Sequence, residues 1–192
     1  MPYVIFVAGI PASGKTMYAR HISAKLRVPF IGKDAIKEKL HDVIGYDTAV
    51  RGNSQLYGAA SYSVFYHVAE CLMKADVSFV LESNFTPGSA DILLPLVREY
   101  NYRGLTVLLD ADIRVLHKRF CQRDITDERH AGLKSTSNVF DDFEVFMNAT
   151  LPLREFCVGE KIVVDTTDFS RVCYDEVDMG VLRCLALETN PW

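Results

Sequence analysis

The run Gly9-Ile10-Pro11-Ala12-Ser13-Gly14-Lys15-Thr16 sets two glycines, a lysine and a hydroxyl at the spacing G-x-x-x-x-G-K-[ST]. Each of these residue types suits a polyphosphate. Glycines let the backbone wrap closely around anionic oxygens, and amides at the start of a helix form a nest for them. The lysine bridges the outer phosphates, and the hydroxyl ligates Mg2+. The nucleotide contacts expected are therefore Gly9, Pro11, Ala12, Ser13, Gly14, Lys15, Thr16 and Met17, with ATP and Mg2+ as the ligands.

Three further places carry chemistry. Lys33-Asp34 follows the second apolar run, where Asp34 reads as a helix N-cap and equally as a carboxylate able to orient a hydroxyl and accept its proton. Glu82-Ser83-Asn84 follows the third apolar run. Glu82 stands where many nucleotide hydrolases place an acid that holds Mg2+ through water, so Thr16 and Glu82 are the metal candidates, and Asn84 can contact an acceptor or open a turn. Arg119 and Arg123 are four residues apart, hence on one helix face. Residues 114–134 carry six basic and three acidic side chains. The face is either solvated or a guanidinium clamp for the spread charge of phosphoryl transfer.

The elements that must position these residues alternate between buried strands and helices. Strands are expected at Tyr3–Ala8, Pro29–Ile31, Val77–Leu81, Leu105–Leu109 and Lys161–Val164. Helices are expected at Lys15–Leu26, Asp34–Val43, Ser54–Lys74, Ser89–Tyr100 (bent or delayed by Pro95), Ile113–Cys121, Val139–Phe156 and Tyr174–Leu187. Gly45–Asn53 reads as loop, and residues 124–137 as a mobile one. The fold class is α/β: a three-layer α/β/α sandwich with a five-stranded parallel sheet, of the P-loop NTPase, nucleotide-kinase-like kind. One domain spans 1–192, with a lid at about 114–137, and ligands belong at the C-terminal strand ends.

As an ordered set, the phosphate loop, Lys33-Asp34, Glu82-Ser83-Asn84 and Arg119-x-x-x-Arg123 resemble a group of P-loop kinases. It includes the zeta-toxin-type kinases, chloramphenicol phosphotransferase and the 5′-kinase domain of bacteriophage polynucleotide kinase. The resemblance runs from about Val4 to Asp165. It implies that Asp34 is the general base on an acceptor hydroxyl, and that Lys15, Arg119 and Arg123 act with it as the catalytic set. Glu82 departs from the aspartate common at its position, leaving metal and acceptor roles open. Arg129 and His130 resemble part of an Arg-His-x-Gly lid.

Composition narrows the partners. The net charge is −4, and its excess lies in residues 160–192, with 3 basic and 7 acidic side chains. A grip on long nucleic acid usually shows the opposite balance, so a 5′-polynucleotide kinase is disfavoured relative to a kinase acting on a hydroxyl of a small molecule. A sugar-nucleotide kinase and an NTPase switch without an acceptor stay open. No apolar run spans a bilayer. The five cysteines form no C-x-x-C pair, which points to reduced thiols and a cytoplasmic setting.

Overall fold

The computed structural model describes residues 1–45, 53–125, 129–134 and 140–186. Five parallel strands form one sheet: β1 (Tyr3–Gly9), β2 (Phe30–Gly32), β3 (Phe79–Glu82), β4 (Arg103–Asp110) and β5 (Glu160–Asp165), in spatial order β2-β3-β1-β4-β5. The chain steps outward from β1 to β2, returns through β3, then crosses β1 to β4. The order therefore reverses around β1, where the phosphate loop begins.

Alternation along β1 divides the core. Val4, Phe6 and Ala8 face one layer, with Phe65, Ala69 and Met73 of α3 (Asn53–Lys74) and Leu93 and Val97 of α4 (Pro87–Glu99). Tyr3, Ile5 and Val7 face the other, with Tyr18, Ala19 and Ile22 of α1 (Lys15–Leu26) and Val181 near the end of the last helix, Tyr174–Cys184. A strand buried on both faces reads as a continuous apolar run, as β1 does. A third cluster packs α5 (Ile113–Ile125) through Leu116 and Phe120 against Phe146 of the helix Phe143–Thr150 and Leu153 of the 3-10 turn that follows.

The remaining helices refine the expected boundaries. α2 (Lys33–Ile44) is capped by Gly32, so Asp34 lies inside the first turn and is not the N-cap. Its carboxylate goes to Lys33 instead. α4 begins at Pro87, earlier than Ser89, because Thr86 and Ser89 form a reciprocal capping box and proline suits the first helical position. Pro95 is accommodated within that helix. Within 124–137, Ala131–Lys134 form a short helix, α6, packed on α2, so this part is structured and not loop. In order, Phe143–Thr150 is then α7 and Tyr174–Cys184 α8. Residues 46–52, 126–128 and 135–139 lie outside the described residues.

Two helices are joined by a buried carboxylate. Asp178 of α8 accepts from Tyr18 Oη at 3.1 Å and Lys25 Nζ at 2.8 Å, and lies 2.7 Å from His21 Nε2, all three on α1. The cysteines are free thiols, and no described helix is long and apolar enough to cross a membrane.

Phe156 is fully buried, stacked on Phe85 with ring centres 4.4 Å apart and edge-on to Phe6 at 5.8 Å. Phe156→Ala should lower unfolding free energy by about 3–5 kcal/mol. Urea denaturation should show an earlier midpoint with an unchanged slope.

Candidate functional site

Helix α1 starts on Gly14, at φ 88° and ψ 6°, and no side chain caps it. Only glycine holds that backbone cheaply, and a Cβ there would come within 2.8 Å of the Phe169 ring. The amides of the first turn are thus left to an anion, with the positive end of the helix dipole behind them. No acidic side chain stands in that turn to compete. Gly9 closes β1, paired in register with Leu109. Pro11 and Ala12 are half-buried along the loop, with Ala12 at φ 70°. Ser13 is buried, and its Oγ has no hydrogen-bond partner among the described residues. The Met17 side chain is 55% exposed; its amide donates to Gly14 O.

Lys15 is buried, and its Nζ lies 4.0 Å from Glu82 Oε1 at the end of β3. Glu82 is buried too, in register with Val7 and Gly32, so the sheet itself sets it between the ends of β1 and β2. Burial pushes its carboxyl up from the ordinary 4.5, against the pull of Lys15 and a Thr16 hydrogen bond. Burial likewise pushes Lys15 down, with Glu82 and Asp34 opposing it. Thr16 and Glu82 offer only hard oxygen donors, and Glu82 sits where added positive charge would be welcome. Both properties fit Mg2+.

Asp34 reaches the same region from α2. Its Oδ1 lies 2.6 Å from Lys33 Nζ. Burial raises its pKa, but the Lys33 charge and hydrogen bond, with Lys15 and Lys37, outweigh this and hold it below the ordinary 3.8. A cavity of about 290 Å³ opens beside these groups, lined by Thr16, Asp34, Glu82 and Arg123, then by Arg20, Phe30 and Glu38, and by Arg129, His130 and Leu133 of the lid.

The structure separates the two arginines that share a face of α5. Arg123 lines the cavity. Arg119 does not: its guanidinium donates to Thr166 O at 2.8 Å and Thr167 O at 2.9 Å, and lies 4.1 Å from the centre of the Phe169 ring. Expected beside Arg123 over the outermost phosphate, Arg119 is instead held by the backbone after β5. The carbonyls of Thr166 and Thr167, which follow β5, serve that arginine.

The segment 129–134 is held to α2 by polar contacts. His130 Nδ1 accepts from Gly132 N at 3.1 Å, which puts the ring proton on Nε2, 2.8 Å from Asp42 Oδ1. His41, Asp42 and His130 place ligand-type atoms within 4.8 Å of one another, but that tautomer leaves the His130 ring no lone pair for a cation. Gly132 permits the approach, since a Cβ would stand 2.9 Å from His41 Cβ.

Two polar residues near the strand ends went unread in the sequence. Arg154 braces the end of β4 through Asp110 at 2.9 Å and Ala111 O at 2.9 Å; it carries no spacing signal. Lys37 lies one turn beyond Lys33, and that periodicity was the available clue. Arg51, Asp127 and Glu128 lie outside the described residues.

Residues 4–144 match the family AAA_33, an AAA domain. No curated protein matches the chain. Among solved structures, the chain is similar to a protein from Chloroflexus aurantiacus j-10-fl described provisionally as a kinase, with 26% identity, TM-score 0.80 and 96% of each chain covered. It also shares its fold with a sugar kinase from Janibacter sp. HTCC2649, at 14% identity and TM-score 0.62 over 97% of this chain and 96% of that one. Shikimate kinase from Bacteroides thetaiotaomicron is similar at 19% identity and TM-score 0.54, over 96% and 99%.

Because its carboxyl is held below 3.8, Asp34 contributes stability above that ordinary value, lost as pH falls through the lower folded one. Asp34→Asn should be less stable than wild type near pH 6, with the gap closing below about pH 4. Urea midpoints measured across that range would check it; a pH-independent gap would contradict it.

Proposed function

The chain belongs to the AAA domain family AAA_33, and on that premise we propose that it transfers the γ-phosphoryl group of ATP·Mg to a hydroxyl of a small molecule. The observation that carries this reading is the meeting of Lys15, Thr16, Asp34 and Glu82 at the C-terminal ends of β1, β2 and β3, the last three lining one cavity and Lys15 held 4.0 Å from Glu82. A nucleotide hydrolase needs the first two and an acid. A carboxylate presented from α2 beside them is what an acceptor hydroxyl requires.

In this reading the amides that open α1, Lys15 and Thr16 among them, hold the phosphate chain, and the Lys15 ammonium neutralises its outer part. Thr16 and Glu82 hold Mg2+, which when bound offsets charge on the transferring group. Asp34 orients the acceptor hydroxyl and takes its proton as the new O–P bond forms; the bond between the β–γ bridging oxygen and the γ-phosphorus breaks, and ADP leaves. Its depressed pKa keeps it ionised and able to accept. Arg123 faces the γ-phosphoryl group from the lid. Arg119 is assigned to the nucleotide end, where it fixes the segment after β5 against α5. The catalytic effect is then mainly position and charge, with the lid excluding water that would compete with the acceptor. The kinase descriptions of the proteins sharing this fold agree with that reading.

Asp34→Asn should retain MgATP affinity while transfer falls about 10²–10⁴-fold. Lys15→Ala should lose nucleotide affinity as well. Calorimetry with MgATP and ADP release across sugars, nucleosides, aminoglycosides, sugar nucleotides and 5′-hydroxyl oligonucleotides would read both. ATP turnover indifferent to every acceptor and to Asp34→Asn would identify an NTPase switch and overturn the kinase reading.

A further inference from the structure

Lys33 and Lys37 are one turn apart on α2 and point to the same side. Both lie where α2 packs against α3. Lys33 lies 5.1 Å from the centre of the Tyr62 ring and is matched by Asp34. Lys37 is only 6% exposed, and its one hydrogen-bond partner among the described residues is the Ser54 hydroxyl at 2.8 Å. Among those residues no carboxylate stands within ion-pair distance of it. Lys15 faces Glu82 and Lys33 faces Asp34, which leaves Lys37 as the surplus charge. Burial pushes its pKa down, Lys33 and Arg129 add repulsion, and Asp34 opposes them. A buried ammonium met only by a neutral hydroxyl is costly, and the cost is removed when an anion arrives.

A second observation lies across the Tyr62 ring. Tyr62 Oη donates to Asn84 O at 3.0 Å and receives a hydrogen bond from Ser83 Oγ at 3.0 Å. These bonds fix Asn84 at the exit of β3, yet its Oδ1 is buried with no hydrogen-bond partner among the described residues. Buried carbonyl oxygens are nearly always satisfied, so such an orphan marks the place of a missing donor. Around Tyr62 and Asp34 the structure therefore holds a cation lacking an anion, on α2, and an acceptor lacking a donor, just after β3.

We propose that the phosphoryl acceptor is a hydroxylated anion whose carboxylate or phosphate monoester is held by Lys37 while a non-reacting hydroxyl donates to Asn84 Oδ1. This rests on the kinase reading of the neighbouring cavity. It commits that reading to acidic polyols over neutral ones. Lys37 and Asn84 become specificity-determining residues, with the reacting hydroxyl left to Asp34.

The test uses the full chain loaded with MgADP for binding and with MgATP for turnover, and two matched pairs of probes: gluconate against glucitol, and glycerol 3-phosphate against glycerol. In at least one pair the charged member should bind about tenfold tighter than the neutral one. The pair that shows the preference tells carboxylate from phosphate. Lys37→Met should bring that pair to near parity without changing MgATP affinity, and Asn84→Ala should weaken both of its members together. Methionine replaces a buried ammonium with an apolar chain of similar length, so thermal melting should not fall; Lys37→Gln, as a second variant, should lose the same preference. Equal binding within both pairs, or a preference that survives both Lys37 variants, overturns the inference. If a neutral member is phosphorylated as fast as its charged counterpart, the inference falls and the kinase reading stands. If MgATP does not occupy the phosphate loop, both fall.

Discussion

The ion pair between Lys15 and Glu82, 4.0 Å apart and withdrawn from water, is the constraint around which the C-terminal edge of the sheet is arranged. Taking two charges into a protein interior costs on the order of several kcal/mol per ion before their attraction is counted. At this spacing the attraction is incomplete, and burial shifts both groups toward their neutral forms. The arrangement persists because the flanking structure leaves little choice. Glu82 is fixed by registers to β1 and β2, and Lys15 by the first turn of a helix whose opening amides are uncapped. Such a site is unsatisfied in a defined way: it lacks negative charge at the helix end and positive charge at the carboxylate. A magnesium–polyphosphate complex supplies both.

That imbalance spreads to α2. Asp34 is held below its ordinary pKa because it answers Lys33, with Lys15 and Lys37 close behind, so its electrostatics depend on the helix it stands on. The segment 129–134 joins the same helix through His130 and Asp42. Lys33, Asp34 and Lys37 and the short helix α6 are therefore coupled through one element, α2, which follows directly on the short edge strand β2.

Much of this was readable from the sequence, for reasons that differ by element. β1 announced itself because a strand buried on both faces is apolar throughout, and the phosphate loop because its residue types are fixed by the anion they hold. Asp34 and Glu82 could be found by their place just after strands. Other features depend on tertiary geometry. Gly32 took the cap of α2 and released Asp34 for Lys33, which no local rule foretold. Arg119 and Arg123 share a helix face, yet one reaches the backbone beyond β5 and the other the cavity, because a long guanidinium arm is directed by whichever carbonyls lie within its reach. The short helix at Ala131–Lys134 has too few residues to show a period, and it is held mainly by its docking on α2. Lys37 carries no signal of its own in the sequence, and it is the packing of α3 that buries it.

The carboxylate of Asp178 gathers Tyr18, His21 and Lys25, which span α1 from its second turn to its end. A rod pinned at several points along its length can neither swivel nor slide. The glycine-led loop at its tip is therefore carried by two helices tied together through one carboxylate, and a change at Asp178 would be felt at the far end of α1.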